Sequence, residues 1–255
     1  MKKSFDLFSL VDSLALVTGC AGGIGSGIAL GLAQAGATVI GLDITDMKET
    51  AQRIAQEGGT FYGYQVDLSN EVALKSCWDQ VLLMHKTIDI VVNNAGTQYR
   101  APASEFTLEA FDRVQAINVR APYQLSQLAV QHFLSEKKRG KIINIASLFS
   151  TFGGMNVSAY TCSKHAILGM TRAFSNEYAG KGINVNAIAP GYIATEITKS
   201  IWSDSVKCEP INQRIPLGRW GVPQDLIGVG VFLASRASDY ISGIVIPVDG
   251  GYSVR

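Results

Sequence analysis

Short apolar runs alternate with longer amphipathic stretches along all 255 residues. The short runs are 14–18, 37–42, 60–66, 88–92, 141–146, 184–188 and 244–248. Most are rich in Val and Ile and apolar on both faces, which suits a parallel sheet covered by helices on each side. Between them, helical spacing of apolar positions fills 23–35, 47–57, 71–85, 108–135, 159–179 and 223–234. This alternation predicts an α/β fold: a single domain over residues 1–255, built as a doubly wound parallel sheet of about seven strands with helices on both faces. Residues 191–222 break the rhythm. They follow a strand end, have no clean period and carry Trp202, Cys208, Pro210, Pro216 and Trp220. A long irregular segment with those aromatics and prolines predicts a lid rather than disorder.

Composition removes several function classes. A hydrophobic share of 47% can fill one substantial core. The net charge of +1 leaves no basic footprint for nucleic acid. Lys137, Lys138, Arg139 and Lys141 read as a solvated helix end beside a turn. Residues 13–42 carry no charge, and Gly19, Gly23, Gly27 and Gly31 form a small-xxx-small ladder, so a membrane helix is the rival reading. Eight glycines and the polar Thr18, Ser26 and Gln34 favour a buried strand, turn and helix instead. Lys2 and Lys3 are followed by Asp6 and Asp12, so no apolar secretory core forms there. Cys20, Cys77, Cys162 and Cys208 and the three histidines lack metal-ligand spacing, and scattered thiols suit a reducing, cytoplasmic setting.

The chemistry begins after the first strand. Gly19, Gly22, Gly23 and Gly25 lie between it and a helix. Such a turn lets backbone N–H groups approach a pyrophosphate at the positive helix end, giving a Rossmann-like site. The spacing departs from G-x-G-x-x-G, because the position three after Gly25 is Ile28. Asp43 follows the second strand, 24 residues after Gly19. A carboxylate there accepts from ribose hydroxyls and repels a 2′-phosphate, which predicts NAD. A helix-capping role for Asp43 is the alternative. Tyr160 and Lys164, four apart, share one helix face.

In order along the chain stand Thr18-Gly19-x-x-x-Gly23-x-Gly25, Asp67-Leu68, Asn93-Asn94-Ala95-Gly96, Asn118, Ser147, Tyr160-x-x-x-Lys164, Pro190-Gly191 and Val248-Asp249-Gly250-Gly251. With these the chain resembles the short-chain dehydrogenase/reductase family over nearly its whole length. The resemblance implies catalysis by Asn118, Ser147, Tyr160 and Lys164. It implies a dinucleotide site at Gly19, Ile24, Asp43, Asp67, Leu68, Asn94, Ala95, Gly96, Pro190, Gly191, Ile193 and Thr195, together with Gly23, Gly25, Tyr160 and Lys164. Tyr160 is the expected acid–base, its phenol drawn down by the Lys164 ammonium and oxidised nicotinamide. Ser147 is expected to steady the substrate oxygen. Lys164 would hold the nicotinamide ribose, and Asn118 would kink its helix and hold a water on the proton route. Cys162 stands where Ala is common, and packing is its expected role.

Within the family, the stretches 29–36, 140–147, 183–192, 214–221 and 231–240 are most similar to dehydrogenases of sugar acids. A carboxylate wants an Arg fork. Arg100, past the fourth strand, and Arg214 are the candidates, with Arg219 beside them. The related sugar-acid enzymes tend to have two arginines at this loop, whereas this chain has Tyr99 before Arg100. A fatty-acid ketoreductase and a dinucleotide-binding regulator without catalysis are the other readings. The resemblance also implies a homotetramer. Leu125, Leu128, Val130, Phe133, Ile167, Leu168, Met170 and Phe174 offer more apolar surface than one core-facing stripe needs.

Overall fold

The strands are β1 Leu14–Thr18, β2 Thr38–Asp43, β3 Thr60–Gln65, β4 Ile90–Asn93, β5 Gly140–Ile145, β6 Ile183–Pro190 and β7 Val245–Val248. This is a computed structural model, and it describes residues 5–255. Lys2 and Lys3, weighed above for a secretory signal, lie outside the described residues. The strands form one parallel sheet in the order β3-β2-β1-β4-β5-β6-β7. β1 is the centre of the winding. Ala15 aligns with Val39 of β2 on one side and with Ile90 of β4 on the other. The order therefore reverses at β1, and a ligand crevice opens beyond the carboxyl ends of the strands there. β1, β4, β5 and β6 are buried at every position, consistent with their continuous apolar character.

The helices are α1 Gly23–Gln34, α2 Lys48–Gln56, α3 Glu71–His85, α4 Leu108–Gln115, α5 Ala121–Ser135, α6 Ser158–Tyr178, α7 Lys199–Trp202, α8 Ser205–Arg214 and α9 Ile227–Ala234. One core layer joins the sheet to α1, α2 and α9 through Ile28, Leu32, Ile54 and Leu233. The other joins it to α3, α5 and α6 through Leu74, Trp78, Phe133 and Ile167. The glycine ladder that imitates a membrane helix is a packing seam. A Cβ on Gly27 would lie 2.9 Å from the Pro223 Cβ, and one on Gly31 would collide with Ile227. Among the described residues, no helix is long and apolar enough to cross a membrane.

Two expectations change in detail. The predicted helix over 108–135 is divided by a π-helical turn at Ala116–Arg120. The segment 191–222 is not irregular throughout, since it contains α7 and α8, with Pro210 inside α8. The apolar residues assigned to a subunit interface also belong elsewhere. Leu125, Leu128, Val130, Phe133, Ile167, Met170 and Phe174 are all buried in the core of this chain.

Candidate active site

The carboxyl ends of β1, β4, β5 and β6 bring the expected residues to one edge. Thr18 closes β1, and its Oγ1 accepts from the Asn94 and Ala95 N–H groups, each at 3.0 Å. Asn94 Nδ2 donates back to the Thr18 and Gly19 carbonyls at 2.9 and 3.2 Å. The turn after β1 and the turn after β4 are thus one unit. Gly19 has φ +70°, and a Cβ there would sit 2.7 Å from Asn94 Nδ2. A Cβ on Gly25 would run into the Gly19 carbonyl. The turn needs glycine at both positions. α1 starts beyond Gly22 with no side-chain cap and no acidic residue in its first turn. Its leading N–H groups are left for an anion, as a pyrophosphate requires. The Thr195 methyl lies 3.5 Å from the place of a Cβ on Gly23. The loop after β6, with Pro190, Gly191 and Ile193, therefore folds over the same turn. Residues and backbone here fit a dinucleotide.

Asp43 is anchored. Its Oδ2 accepts from the Ala21 N–H at 2.9 Å, and its Oδ1 accepts from the Thr45 N–H and hydroxyl at 3.0 Å. It holds the phosphate turn instead of capping α2, whose neighbour Asp46 accepts from the Lys48 N–H. Asp67 is exposed, and its Oδ1 accepts from the Ser69 N–H and hydroxyl, which lowers its pKa. The helix cap at α3 is Asn70, not Asp67. Leu68 is buried against the core, and Gly96 faces Asn118.

The catalytic candidates are adjacent. Asn118 lies in the π turn, 1% exposed. Its Oδ1 accepts from the Thr97 N–H at 2.8 Å, and its Nδ2 donates to the Thr97 carbonyl and to Ser163 Oγ at 2.9 and 3.0 Å. Both amide hydrogens are committed to protein, so a water cannot take them. Ser163 Oγ in turn donates to the Tyr160 carbonyl at 2.7 Å. Lys164 is buried and donates to the Ile145 carbonyl at 2.7 Å, which aims it along β5 toward the site. Burial lowers its ammonium to about 8. Its Nζ lies 5.6 Å from the Tyr160 ring centre.

The Tyr160 phenol is shifted by its surroundings. Burial raises its pKa, outweighing a hydrogen bond with Ser147 and the positive charge of Arg100, which both act downward. Without a dinucleotide the phenol is a protonated donor, and the ammonium alone does not draw it down. Ser147 caps the 3₁₀ turn Leu148–Ser150, accepting from the Phe149 N–H at 3.2 Å while facing Tyr160.

The three arginines separate cleanly. Arg219 pairs with Asp225 through both nitrogens, at 2.7 and 2.9 Å, and so is not a free carboxylate reader. Arg100 acts electrostatically on both Tyr160 and Tyr192, and Arg214 on Tyr192. Among the described residues, neither Arg100 nor Arg214 has a carboxylate partner. Trp202 Nε1 donates to the Thr195 carbonyl at 3.0 Å, tying α7 to the loop over the turn. Cys162 is exposed rather than packed. Tyr192, Tyr252 and Trp220 form a group that the sequence reading did not assign. Its signal was present, for Tyr192 directly follows Pro190-Gly191 and Tyr252 directly follows Gly250-Gly251.

The chain is similar to known proteins over nearly its whole length. A family model described as enoyl-(acyl carrier protein) reductase matches residues 19–253. The chain is 49% identical over 251 residues to a 2-dehydro-3-deoxy-D-gluconate 5-dehydrogenase of Bacillus subtilis, covering 98% of each. It is 45% identical over 248 residues to the protein of that name from Escherichia coli, covering 97% of this chain and 98% of the relative. A crystal structure from Agrobacterium tumefaciens with bound NADP is 42% identical and superimposes with a TM-score of 0.94, over 98% of this chain and 100% of that one. Turn, quartet and full-length similarity point the same way: the chain belongs to the short-chain dehydrogenase/reductase family, and its site is that of a dehydrogenase.

Proposed function

We propose that the protein is a 2-dehydro-3-deoxy-D-gluconate 5-dehydrogenase, interconverting a secondary alcohol and a ketone on that sugar acid. The observation that carries the reading is the 45–49% identity to relatives of that name over nearly the whole chain. The assembled Asn118, Ser147, Tyr160 and Lys164 argue against a regulator without catalysis. A gluconate 5-dehydrogenase is the nearest alternative, since the single Arg100, at a loop where the sugar-acid enzymes tend to have two arginines, leaves the exact acid open.

Gly19, Gly23, Ile24 and Gly25 would hold the dinucleotide pyrophosphate at the start of α1. Asp43 would take the adenosine ribose. Asp67 and Leu68, with Asn94, Ala95 and Gly96, would line the adenine side, and Pro190, Gly191, Ile193 and Thr195 the nicotinamide side. When bound, the dinucleotide supplies the hydride acceptor or donor. Ser147 would donate a hydrogen bond to the substrate oxygen, steadying negative charge as it develops. Tyr160 would give its proton to that oxygen in reduction and take it back in oxidation. Lys164 stands behind Tyr160, and Asn118 would brace that helix through Ser163, which donates to the Tyr160 carbonyl.

NAD is the preferred cofactor on this reading, although the Agrobacterium structure carries NADP. The support is Asp43, a carboxylate held at the ribose end by Ala21 and Thr45. Residues 191–222 would close as a lid, with Arg100 and Arg214 beneath it reading the carboxylate. The assembly would be a homotetramer. The cysteines among the described residues are all free, which supports a cytoplasmic setting.

A panel of sugar acids tested for dinucleotide reduction checks the substrate. Highest kcat/KM is expected for 2-dehydro-3-deoxy-D-gluconate with oxidised dinucleotide, and in the reverse direction for its C5 ketone with reduced dinucleotide. Preference for gluconate would move the assignment to the alternative, and turnover of acyl thioesters alone would overturn both.

A further inference from the structure

Three aromatic rings meet at the mouth of the site. Tyr192 lies 5.1 Å from Trp220 and 5.2 Å from Tyr252, centre to centre. The Arg214 guanidinium sits 4.4 Å over the Tyr252 ring. Tyr252, packed against Tyr192, helps to raise the pKa of the Tyr192 phenol. The segment that carries Tyr252 is braced by Asp249, which accepts from the Gly251 and Ser253 N–H groups at 2.9 Å, and Arg255 donates to the Gln213 carbonyl at 2.6 Å.

The group has many donors and few acceptors. Arg100 comes from the loop after β4 and Arg214 from the end of α8, and both act on Tyr192. Neither has a protein carboxylate, whereas Arg219 does, and Asp249 is already committed to backbone. The Trp220 Nε1, on a side chain only 8% exposed, has no acceptor. An anion is the missing partner of such a constellation. We propose that Tyr192 donates a third hydrogen bond to the substrate carboxylate, between Arg100 and Arg214. Tyr252 positions it, with its ring holding Arg214 and its hydroxyl orienting that of Tyr192. This rests on the sugar-acid reading above.

The chemistry suits the role. Burial, with the nearby Tyr252, pushes the Tyr192 phenol up to about 12, so it meets an anion with its proton in place. On binding, Tyr192 would turn its proton to the carboxylate and accept from the Tyr252 hydroxyl in return, a chain in which each bond strengthens the next. Stacking also limits the freedom that Arg214 would lose on binding.

The test compares 2-dehydro-3-deoxy-D-gluconate with its carboxamide, in full-length protein with dinucleotide binding measured alongside. Tyr192→Phe is expected to raise KM for the acid about 10- to 100-fold and to change KM for the amide less than threefold, with the loss in KM rather than kcat. Tyr252→Leu should approach the effect of Arg214→Ala on the acid, while Tyr252→Phe, which keeps the ring under Arg214, should recover most of it. Equal losses on acid and amide, or none on the acid, would overturn the proposal. If Tyr192→Phe fails to bind dinucleotide, Tyr252→Phe against Tyr252→Leu decides it: no difference between them overturns the positioning role. Failure of the sugar-acid reading looks different, because Arg100→Ala would then no longer distinguish acid from amide.

Discussion

A single carboxylate, Asp43, sets which dinucleotide the site should favour. Both of its oxygens are held by Ala21 and Thr45, so it cannot swing away from a 2′-phosphate without giving up those bonds. Two negative groups close together in a partly buried site cost several-fold or more in affinity. Unmodified protein is expected to use NAD with at least tenfold higher kcat/KM than NADP, and Asp43→Ala should narrow the gap. Equal use of both by the unmodified protein would refute the role. Tyr160 makes a separate prediction. Tyr160→Phe should lower kcat by roughly 10²–10⁴ while dinucleotide binding stays close to normal. Lys164→Ala should weaken both, since its buried ammonium lies beside Tyr160 and, on the proposed role, would also hold the nicotinamide ribose. Because burial holds the phenol above its ordinary value, reduction by the unmodified enzyme should not fail for want of a Tyr160 proton at neutral pH. Substantial activity in Tyr160→Phe would place the acid–base elsewhere.

At the scale of elements, His132 on α5 is a pH-sensitive brace. Its Nε2 accepts the Ile88 N–H at 3.2 Å, and its ring meets Trp78 edge-on at 6.3 Å. That bond exists only while the imidazole is neutral. Burial lowers its pKa; Lys138 acts in the same direction, and Glu136 and Asp89 act against it. The unfolded chain then takes up this proton before the folded one. Stability is complete above the unfolded value, about 6.5, and falls as pH drops below it toward the folded value. Up to about 1.4 kcal/mol per pH unit is available from one proton. Urea midpoints at pH 7.5 and 5.5 should differ more for the unmodified protein than for His132→Gln, and equal slopes would remove His132 from the account. Elements were the easiest part to read in the sequence, because β1, β4, β5 and β6 are buried on both faces and are mostly Val, Ile, Leu and Ala, with few polar interruptions such as Lys141 and Asn144. Apolar spacing did not show the π turn, since a one-residue insertion into a helix leaves that spacing almost intact; only the resemblance pointed to a kink, at Asn118. α8 was hidden by Pro210, which local propensity reads as a break. Ser147 and most of the expected dinucleotide residues stood out because they follow strand ends, whereas Asn118, Tyr160 and Lys164 lie on helices and were read from their spacing and the family resemblance. Arg219 was not separable from Arg100 and Arg214, because its partner Asp225 is a short-range contact that only the turn geometry reveals. The Tyr192–Tyr252 pair joins positions 60 residues apart, which no local pattern announces.

At the scale of the molecule, the two faces are covered unequally. The α5 and α6 side, expected to supply apolar contact to a twofold mate, spends most of those residues on its own core, leaving Tyr123 and Leu134 as its exposed apolar surface. The other side is less complete. α9 reads Ile-Gly-Val-Gly-Val-Phe-Leu-Ala, apolar around its whole circumference, yet only Gly230, Leu233 and Ala234 are buried. β7 beside it ends the sheet and is nowhere fully buried. Tyr240 is fully exposed and Ile244 is 47% exposed on the approach to β7. An apolar helix next to an open strand edge invites pairing, and a twofold contact buries the same patch on both copies at once. A second twofold contact through the Tyr123 and Leu134 side would complete a tetramer with no open apolar face. Sedimentation equilibrium at micromolar concentration is therefore expected to give four times the 27.3-kDa chain. Placing a lysine at Ile244 and another at Val229 should leave dinucleotide binding intact and reduce the particle to a dimer, because the contact through α5 and α6 survives. Unmodified protein that sediments as a stable monomer would contradict the assembly, and a tetramer that resists both lysines would move the larger contact away from α9 and β7.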